Sequence, residues 1–277
     1  MADHKINTIN APSVTVIGLG PMGKATVRML LNQEYRVTVW NRTSAKAERM
    51  AAEGTASAAT VSEAVRANEV TILSLTDYTA MYDVLSQAEN ALDGKVIVNL
   101  SSGTPQEARD GAKWVDDRGG TLFTGGFISQ SDDIEHELSY VLYSGPQRIY
   151  DQYWTLLQSI CRPEYLGDDP GLSQLYYQAM LALFHPFLLT VQQSISAVDD
   201  ANGDSGRFAA FAADFTANLT EFVPLIHRLH QQGANDNASD AMMRASAGHV
   251  ADTFNAAGVD DSILRAVERV YENRLGS

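Results

Sequence analysis

Val14-Thr15-Val16-Ile17-Gly18-Leu19-Gly20-Pro21-Met22-Gly23 (VTVIGLGPMG) decides the fold. A short apolar, β-branched run enters three glycines spaced G-x-G-x-x-G, and apolar residues then recur at helical spacing at Ala25, Met29 and Leu30. A strand, a glycine turn and a helix in that order form the context in which this motif binds a dinucleotide. Gly18 permits the tight turn, Gly20 lets the backbone approach a pyrophosphate, and Gly23 permits close helix–strand packing. Leu19, Pro21 and Met22 complete the loop, with the phosphates at the positive end of the helix from Pro21.

Outward from this unit, strand and helix patterns alternate. Strands are expected at 36–40 (RVTVW), 70–75 (VTILSL) and 96–100 (VIVNL). Helices are expected at 44–54, 61–67, 79–91 and 104–118, the last opening on Thr104-Pro105, a cap followed by proline at the first helical position. Such alternation reads as a parallel sheet with helices on both faces. After Gly167-Asp168-Asp169-Pro170-Gly171 the pattern becomes helical, with segments at 172–198, 206–231, 236–257 and 261–274, and a kink is expected at Pro186. The fold class is therefore an α/β Rossmann N-terminal domain, residues 1–166, joined by a long interdomain helix to an all-α C-terminal domain, residues 167–277.

The chain has 277 residues, 45% of them hydrophobic, and a net charge of −14. Residues 1–50 hold seven Lys/Arg against three acids, a net of +4, which leaves −18 for the rest. This balance argues against nucleic-acid binding and against anionic membrane surfaces, and it permits a small anion near the N-terminal segment. The one cysteine, Cys161, fits a reducing compartment, and the polar opening MADHKINTIN carries no signal-peptide pattern, so the expected location is cytoplasmic. The longest apolar stretch, Ala179 to Val191, is interrupted by His185 and Pro186 and reads as too short to span a bilayer. His227 and His230 lack a third ligand nearby, so no metal is expected.

The end of the second strand selects the cofactor. No Asp or Glu occurs from 35 to 47, where an acid would bond the ribose hydroxyls of NAD. Asn41, Arg42, Thr43 and Lys46 stand there instead. A guanidinium fork and a hydroxyl suit a 2′-phosphate, so NADPH is the expected cofactor.

Together GLGPMG at 18–23, WNRT at 40–43, NLSSGTP at 99–105 and YSG at 143–145 resemble the β-hydroxyacid dehydrogenase superfamily, and within it the imine reductase and reductive aminase branch. The resemblance places the cofactor against Leu75 and Thr76 and against Asn99, Ser101, Ser102 and Thr104, with the nicotinamide near the serines. Hydroxyacid dehydrogenases of the superfamily use a lysine early in the long helix. This chain has no lysine from 114 to 277, and the serine-glycine-glycine stretch of those enzymes is replaced by Thr124-Gly125-Gly126-Phe127. Alcohol oxidation is thereby demoted, and a C=N bond becomes the better hydride acceptor, because a protonated iminium is already electrophilic.

By the same resemblance Tyr177 occupies the Asp/Tyr position that addresses the substrate nitrogen, which implies an S-type enzyme. Ser102 and His185 stand at two further catalytic positions where reductive aminases often carry Asn and Tyr, and Phe215, Met242 and Met243 match the apolar substrate pocket. The segment 129–137 (SQSDDIEHE) is acidic where the family is often apolar, and reads either as a solvated loop or as a rim that attracts cationic substrates. A small-molecule imine or amine substrate and a domain-swapped homodimer are implied as partners. Two alternatives stay open: a small-carbonyl or hydroxyacid reductase using an unusual acid, and a non-catalytic NADP-binding scaffold.

Overall fold

In a computed structural model the described residues are 11–128, 139–232 and 237–275, so the acidic segment 129–137 and the first ten residues lie outside them. The chain divides into two compact units, Met1–Met180 and Leu181–Ser277.

The first unit is built on an eight-stranded sheet. Its strands are β1 (Ser13–Ile17), β2 (Arg36–Trp40), β3 (Ala56–Ser57), β4 (Val70–Leu73), β5 (Val96–Asn99), β6 (Thr121–Ile128), β7 (Tyr140–Ser144) and β8 (Arg162–Tyr165), in the order β3-β2-β1-β4-β5-β6-β7-β8. The helices between them are α1 (Pro21–Asn32), α2 (Ser44–Ala51), α3 (Val61–Ala67), α4 (Tyr78–Leu85), α5 (Pro105–Asp116) and α6 (Gln147–Ile160). The strand order reverses between β1 and β4, the switch point at which open α/β sheets bind ligands. Alternate strand residues feed two cores: Val14, Val16, Ile72, Val98 and Phe123 on one face, Ile17, Leu73, Ile97 and Leu122 on the other. Both faces are covered, which is why the strands read as nearly continuous apolar runs.

In the first unit two sequence expectations need correction, and β3, β6, β7 and β8 add to the four strands read from the sequence. The sheet is not wholly parallel: β6 and β7 pair antiparallel, Thr124 opposite Ser144. Only residues 129–139 connect them, fewer than a parallel crossover requires. The helix expected at 79–91 is α4 followed by a 3₁₀ turn over Ser86–Ala91, with Ala88 outside helical geometry. The short edge strand β3 was not foreseen, since two exposed residues carry no alternation.

The long helix α7 runs Gly171–Asp200, continuous through Pro186. By length and composition alone it could cross a membrane, unlike the shorter run 179–191 that the sequence pattern singles out. Its beginning, however, is tied to the sheet. Thr124 Oγ1 lies 3.0 Å from Ser144 Oγ and 2.8 Å from Ser173 Oγ, and within 2.7 Å of the Pro170 carbonyl, all in buried or part-buried surroundings. The composition changes at 166/167, and the first compact unit runs on through the start of α7 to Met180.

The second unit contains the remainder of α7 with α8 (Ser205–Leu219), α9 (Phe222–Gln232), α10 (Asn237–Ala256) and α11 (Ser262–Leu275). The single helix expected over 206–231 is broken at Thr220–Glu221. Pro224 has no N–H to offer the Thr220 carbonyl, so a continuous helix loses a bond there, while proline in the first turn of a new helix costs nothing. Helices α10 and α11 are joined by Arg265, which pairs with Asp252 as well as with Asp261 and Glu268 on its own side.

Candidate active site

A cleft of about 710 Å³ opens at the switch point, lined by the glycine loop, the end of β2 and the end of β4. The three motif glycines differ in what holds them. Gly18 has φ +97°, and a Cβ there would lie 2.2 Å from the Ser74 carbonyl oxygen. A Cβ at Gly23 would lie 2.0 Å from the Gly18 oxygen. At Gly20 a Cβ would meet nothing within 4 Å, so the space beside this backbone is open to the cleft.

Asn41 locks the loop in place. Its Oδ1 accepts from the Leu19 N–H at 2.9 Å and its Nδ2 donates to the Thr43 carbonyl at 3.1 Å. The Asn41 amide thus positions the glycine loop, a role the sequence did not distinguish from cofactor contact. Arg42, Thr43 and Lys46 line the same cleft, as do Pro21, Met22, Leu75 and Thr76. The Arg42 and Lys46 side chains have no hydrogen-bond or ion-pair partner among the described residues, which leaves both cations available to an anion. An open backbone at the start of α1 with unpaired cations at the end of β2 fits a dinucleotide carrying a 2′-phosphate.

The opposite wall escaped the sequence reading. Ala80, Asp83, Val84 and Gln87 line it from α4 and the turn after it. Their spacing is i, i+3, i+4, i+7, one helical face, and that periodicity was available in the sequence.

The loop after β5 is more internal than expected. Asn99 and Ser101 are fully buried. Asn99 Oδ1 accepts from the Ser101 N–H at 3.1 Å, and Ser101 Oγ accepts from the Leu75 N–H at 3.2 Å. In this structure both side chains accept from backbone N–H groups, Asn99 within its own loop and Ser101 from the loop after β4. Thr104 caps α5 in a reciprocal box with Glu107, its N–H donating to Glu107 Oε2 at 2.7 Å and its Oγ1 accepting from the Glu107 N–H at 3.2 Å. Ser102 is half-buried, and its Oγ accepts a hydrogen bond from α7.

Tyr177 lies on α7 against β6. A Cβ on Gly126 would come within 2.8 Å of Tyr177 Cβ, so Gly126 sets how closely the helix approaches the sheet. The Tyr177 hydroxyl has no protein partner among the described residues, and burial pushes its pKa above the ordinary phenol value. It is thus a neutral hydrogen-bond donor.

Two glutamines on the same helix were missed. Gln174 is fully buried; its Nε2 donates to the Ser101 and Gly125 carbonyls at 3.3 and 3.2 Å, and its Oε1 accepts from the Gly103 N–H at 3.0 Å. Gln178, four residues on, donates to the Gly103 carbonyl at 2.9 Å and to Ser102 Oγ at 3.3 Å. The first turns of α7 thus bring Tyr177 and Ser102 into one locally braced arrangement.

The remaining expected site residues belong to the second unit. His185 is exposed on α7, its ring edge-on to Phe184 at 5.7 Å. Phe215 on α8 and Met242 and Met243 on α10 are exposed as well.

A cleft at the switch point with a glycine loop on one side and a basic β2 end on the other marks the first unit as an NADP-type dinucleotide-binding domain. Comparison with known proteins narrows the class. Residues 13–167 match the family described as the NAD binding domain of 6-phosphogluconate dehydrogenase, and residues 169–277 match the NADPH-dependent reductive aminase-like C-terminal domain. An imine reductase structure from Streptomyces aurantiacus is 39% identical, with a TM-score of 0.89 over 94% of this chain and 93% of that one. A reductive aminase structure from Aspergillus terreus, in complex with NADPH and ethyl levulinate, is 28% identical with a TM-score of 0.89 over 95% and 93% of the two chains. The NADPH-dependent reductive aminase of Aspergillus oryzae is 28% identical over 270 residues, 95% of this chain and 91% of that protein. The chain belongs to the imine reductase and reductive aminase family, NADPH-dependent oxidoreductases acting on C=N bonds.

Proposed function

We propose that the protein reduces cyclic imines to S-configured amines, working as a domain-swapped homodimer in the cytoplasm. The carrying observation is Tyr177, a half-buried phenol without a protein partner among the described residues, packed against Gly126 beside the Ser102 loop. When bound, NADPH supplies the hydride that reduces the imine carbon. Gly18 to Gly23 would hold its pyrophosphate, and Arg42, Thr43 and Lys46 its 2′-phosphate. Tyr177 orients the substrate by a hydrogen bond at the nitrogen and holds a proton there, since its raised pKa keeps the phenol protonated at neutral pH. Phe215, Met242 and Met243 supply apolar pocket surface that excludes water, and His185 a second hydrogen-bonding group.

The homodimer accounts for the second unit's surface. Leu183, Phe211, Phe215, Val223 and Ile226 are each more than half exposed in the single chain. Exposed apolar area of this extent supports that reading, because a second copy of the same chain would cover it symmetrically.

The test is an NADPH-consumption screen over cyclic imines and ketone-plus-amine pairs, with chiral analysis of the products and sedimentation of the protein alone. Turnover to S-amines by a dimer is expected. R-configured product refutes the role given to Tyr177 in stereochemistry, a monomer refutes the assembly, and tight NADPH binding without turnover of any imine refutes the enzyme reading in favour of a scaffold.

A further inference from the structure

Gln174 and Gln178 do more than brace a loop, because their surroundings fix which way each amide points. Gln174 Nε2 faces two carbonyls, which only accept, and its Oε1 faces an N–H. Gln178 Nε2 faces the Gly103 carbonyl at 2.9 Å, so the nitrogen has to be on that side. The same nitrogen lies 3.3 Å from Ser102 Oγ and therefore donates to it.

A serine hydroxyl has one hydrogen to give and two acceptor sites. At Ser102 one acceptor site is taken by Gln178, and no group among the described residues accepts its hydrogen. Ser102 itself sits at the carboxyl end of β5, beside β4, whose end lines the cofactor cleft. With the 2′-phosphate assigned to the end of β2, the other half of a dinucleotide extends across β4 toward β5.

We propose that Gln178 is a positioning residue that polarises the Ser102 hydroxyl, presenting its O–H as a donor to a carbonyl oxygen at the nicotinamide end of the cleft. That oxygen belongs either to the cofactor carboxamide or to a ketone substrate awaiting condensation with an amine. The proposal rests on the cofactor placement given above. Gln174, buried beneath, keeps the Ser101–Gly103 backbone where Gln178 can reach it. Without Gln178 the hydroxyl rotates freely and its donor role is diluted.

A double-mutant cycle in the full-length protein tests this. Gln178→Glu keeps the size of the side chain but accepts from the hydroxyl and so inverts it; Gln178→Met removes the amide without adding charge and guards against misfolding of the first variant. Each is made alone and with Ser102→Ala. The readouts are the NADPH dissociation constant, kcat and KM with a preformed cyclic imine, kcat and KM with a ketone-plus-amine pair, and the melting temperature. Gln178→Glu is expected to worsen the affected constant at least fivefold more when Ser102 is present than in the Ser102→Ala background, the loss of the Gly103 bond being common to both. Gln178→Met should show a smaller loss with the same dependence on Ser102. Coupling confined to the ketone-plus-amine pair identifies a substrate oxygen, whereas coupling in NADPH affinity or with the preformed imine identifies the carboxamide. Equal losses with and without the Ser102 oxygen in every readout overturn the proposal and leave Gln178 a structural brace. A wild-type protein inert toward all imines would sink the enzyme reading alone, and the NADPH arm would then decide this one.

Discussion

Replacing Gln174 by leucine should cost stability out of proportion to the one side chain changed. The amide is fully buried and serves three backbone groups from two segments, the Ser101 and Gly125 carbonyls and the Gly103 N–H. Leucine fills nearly the same volume, so cavity formation contributes little. Each backbone group left without a partner costs at least about 1 kcal/mol, roughly 3 kcal/mol in total. Better transfer of the apolar side chain offsets part of this, giving a net loss of about 2–3 kcal/mol. At roughly 2–4 °C per kcal/mol for a unit of this size, the melting temperature should fall by about 4–12 °C. The assay is thermal and urea unfolding followed by circular dichroism, with Gln178→Leu as the control. Gln178 is only partly buried, so water can replace its bonds and its loss should stay under about 1 kcal/mol. A Gln174→Leu protein that melts within about 2 °C of the parent, or no lower than Gln178→Leu, would show that the three groups find other partners and would refute the clamp.

Other consequences can be checked separately. Arg42→Ala should weaken NADPH binding by about 10- to 100-fold, the worth of a charge-assisted bond to phosphate, and leave NADH binding unchanged in fluorescence titrations. Gly18→Ala should fail to give a stable protein in a solubility and melting assay, because the new Cβ falls 2.2 Å from a carbonyl oxygen at a φ of +97°. Tyr177→Phe should lower kcat by about ten-fold or more. In the parent the phenol's pKa is raised by burial, so its protonated form persists above the ordinary range near pH 10, and kcat should show no loss from this group between about pH 7 and 9. A fall centred in that interval and abolished by Tyr177→Phe would contradict the assignment.

Much of the first unit could be read from local pattern. The glycine spacing after an apolar run, the acid-free end of β2 and the Thr104-Pro105 start of α5 each depend on residues a few positions apart, and each appears where expected. Tyr177 became visible only through family resemblance, since a tyrosine in an apolar helix otherwise reads as core. The glutamine clamp was invisible for a physical reason. Its bonds join residues 49 to 76 positions apart, and a mid-helix glutamine gives no sign of which carbonyls it will meet. The partner of Ser101 was hidden in the same way, since its hydroxyl accepts from Leu75, 26 positions back, whereas Asn99 bonds a residue only two positions on. The reversal at β7 depends on a connection too short for a crossover, which becomes apparent only once the strand ends are known.

Of the three motif glycines, Gly20 adopts a conformation open to any residue, φ −70° and ψ −176°, with empty space where a side chain would begin. Its two companions are demanded by the fold, whereas at Gly20 the described residues leave room for a side chain, and the motif keeps it small so that a pyrophosphate can approach. A single methyl group at this position would therefore separate a pair of properties that usually fail together, leaving the architecture intact while obstructing the cofactor. At the bench, Gly20→Ala offers a folded, cofactor-blind version of the protein against which every activity claimed for it can be measured.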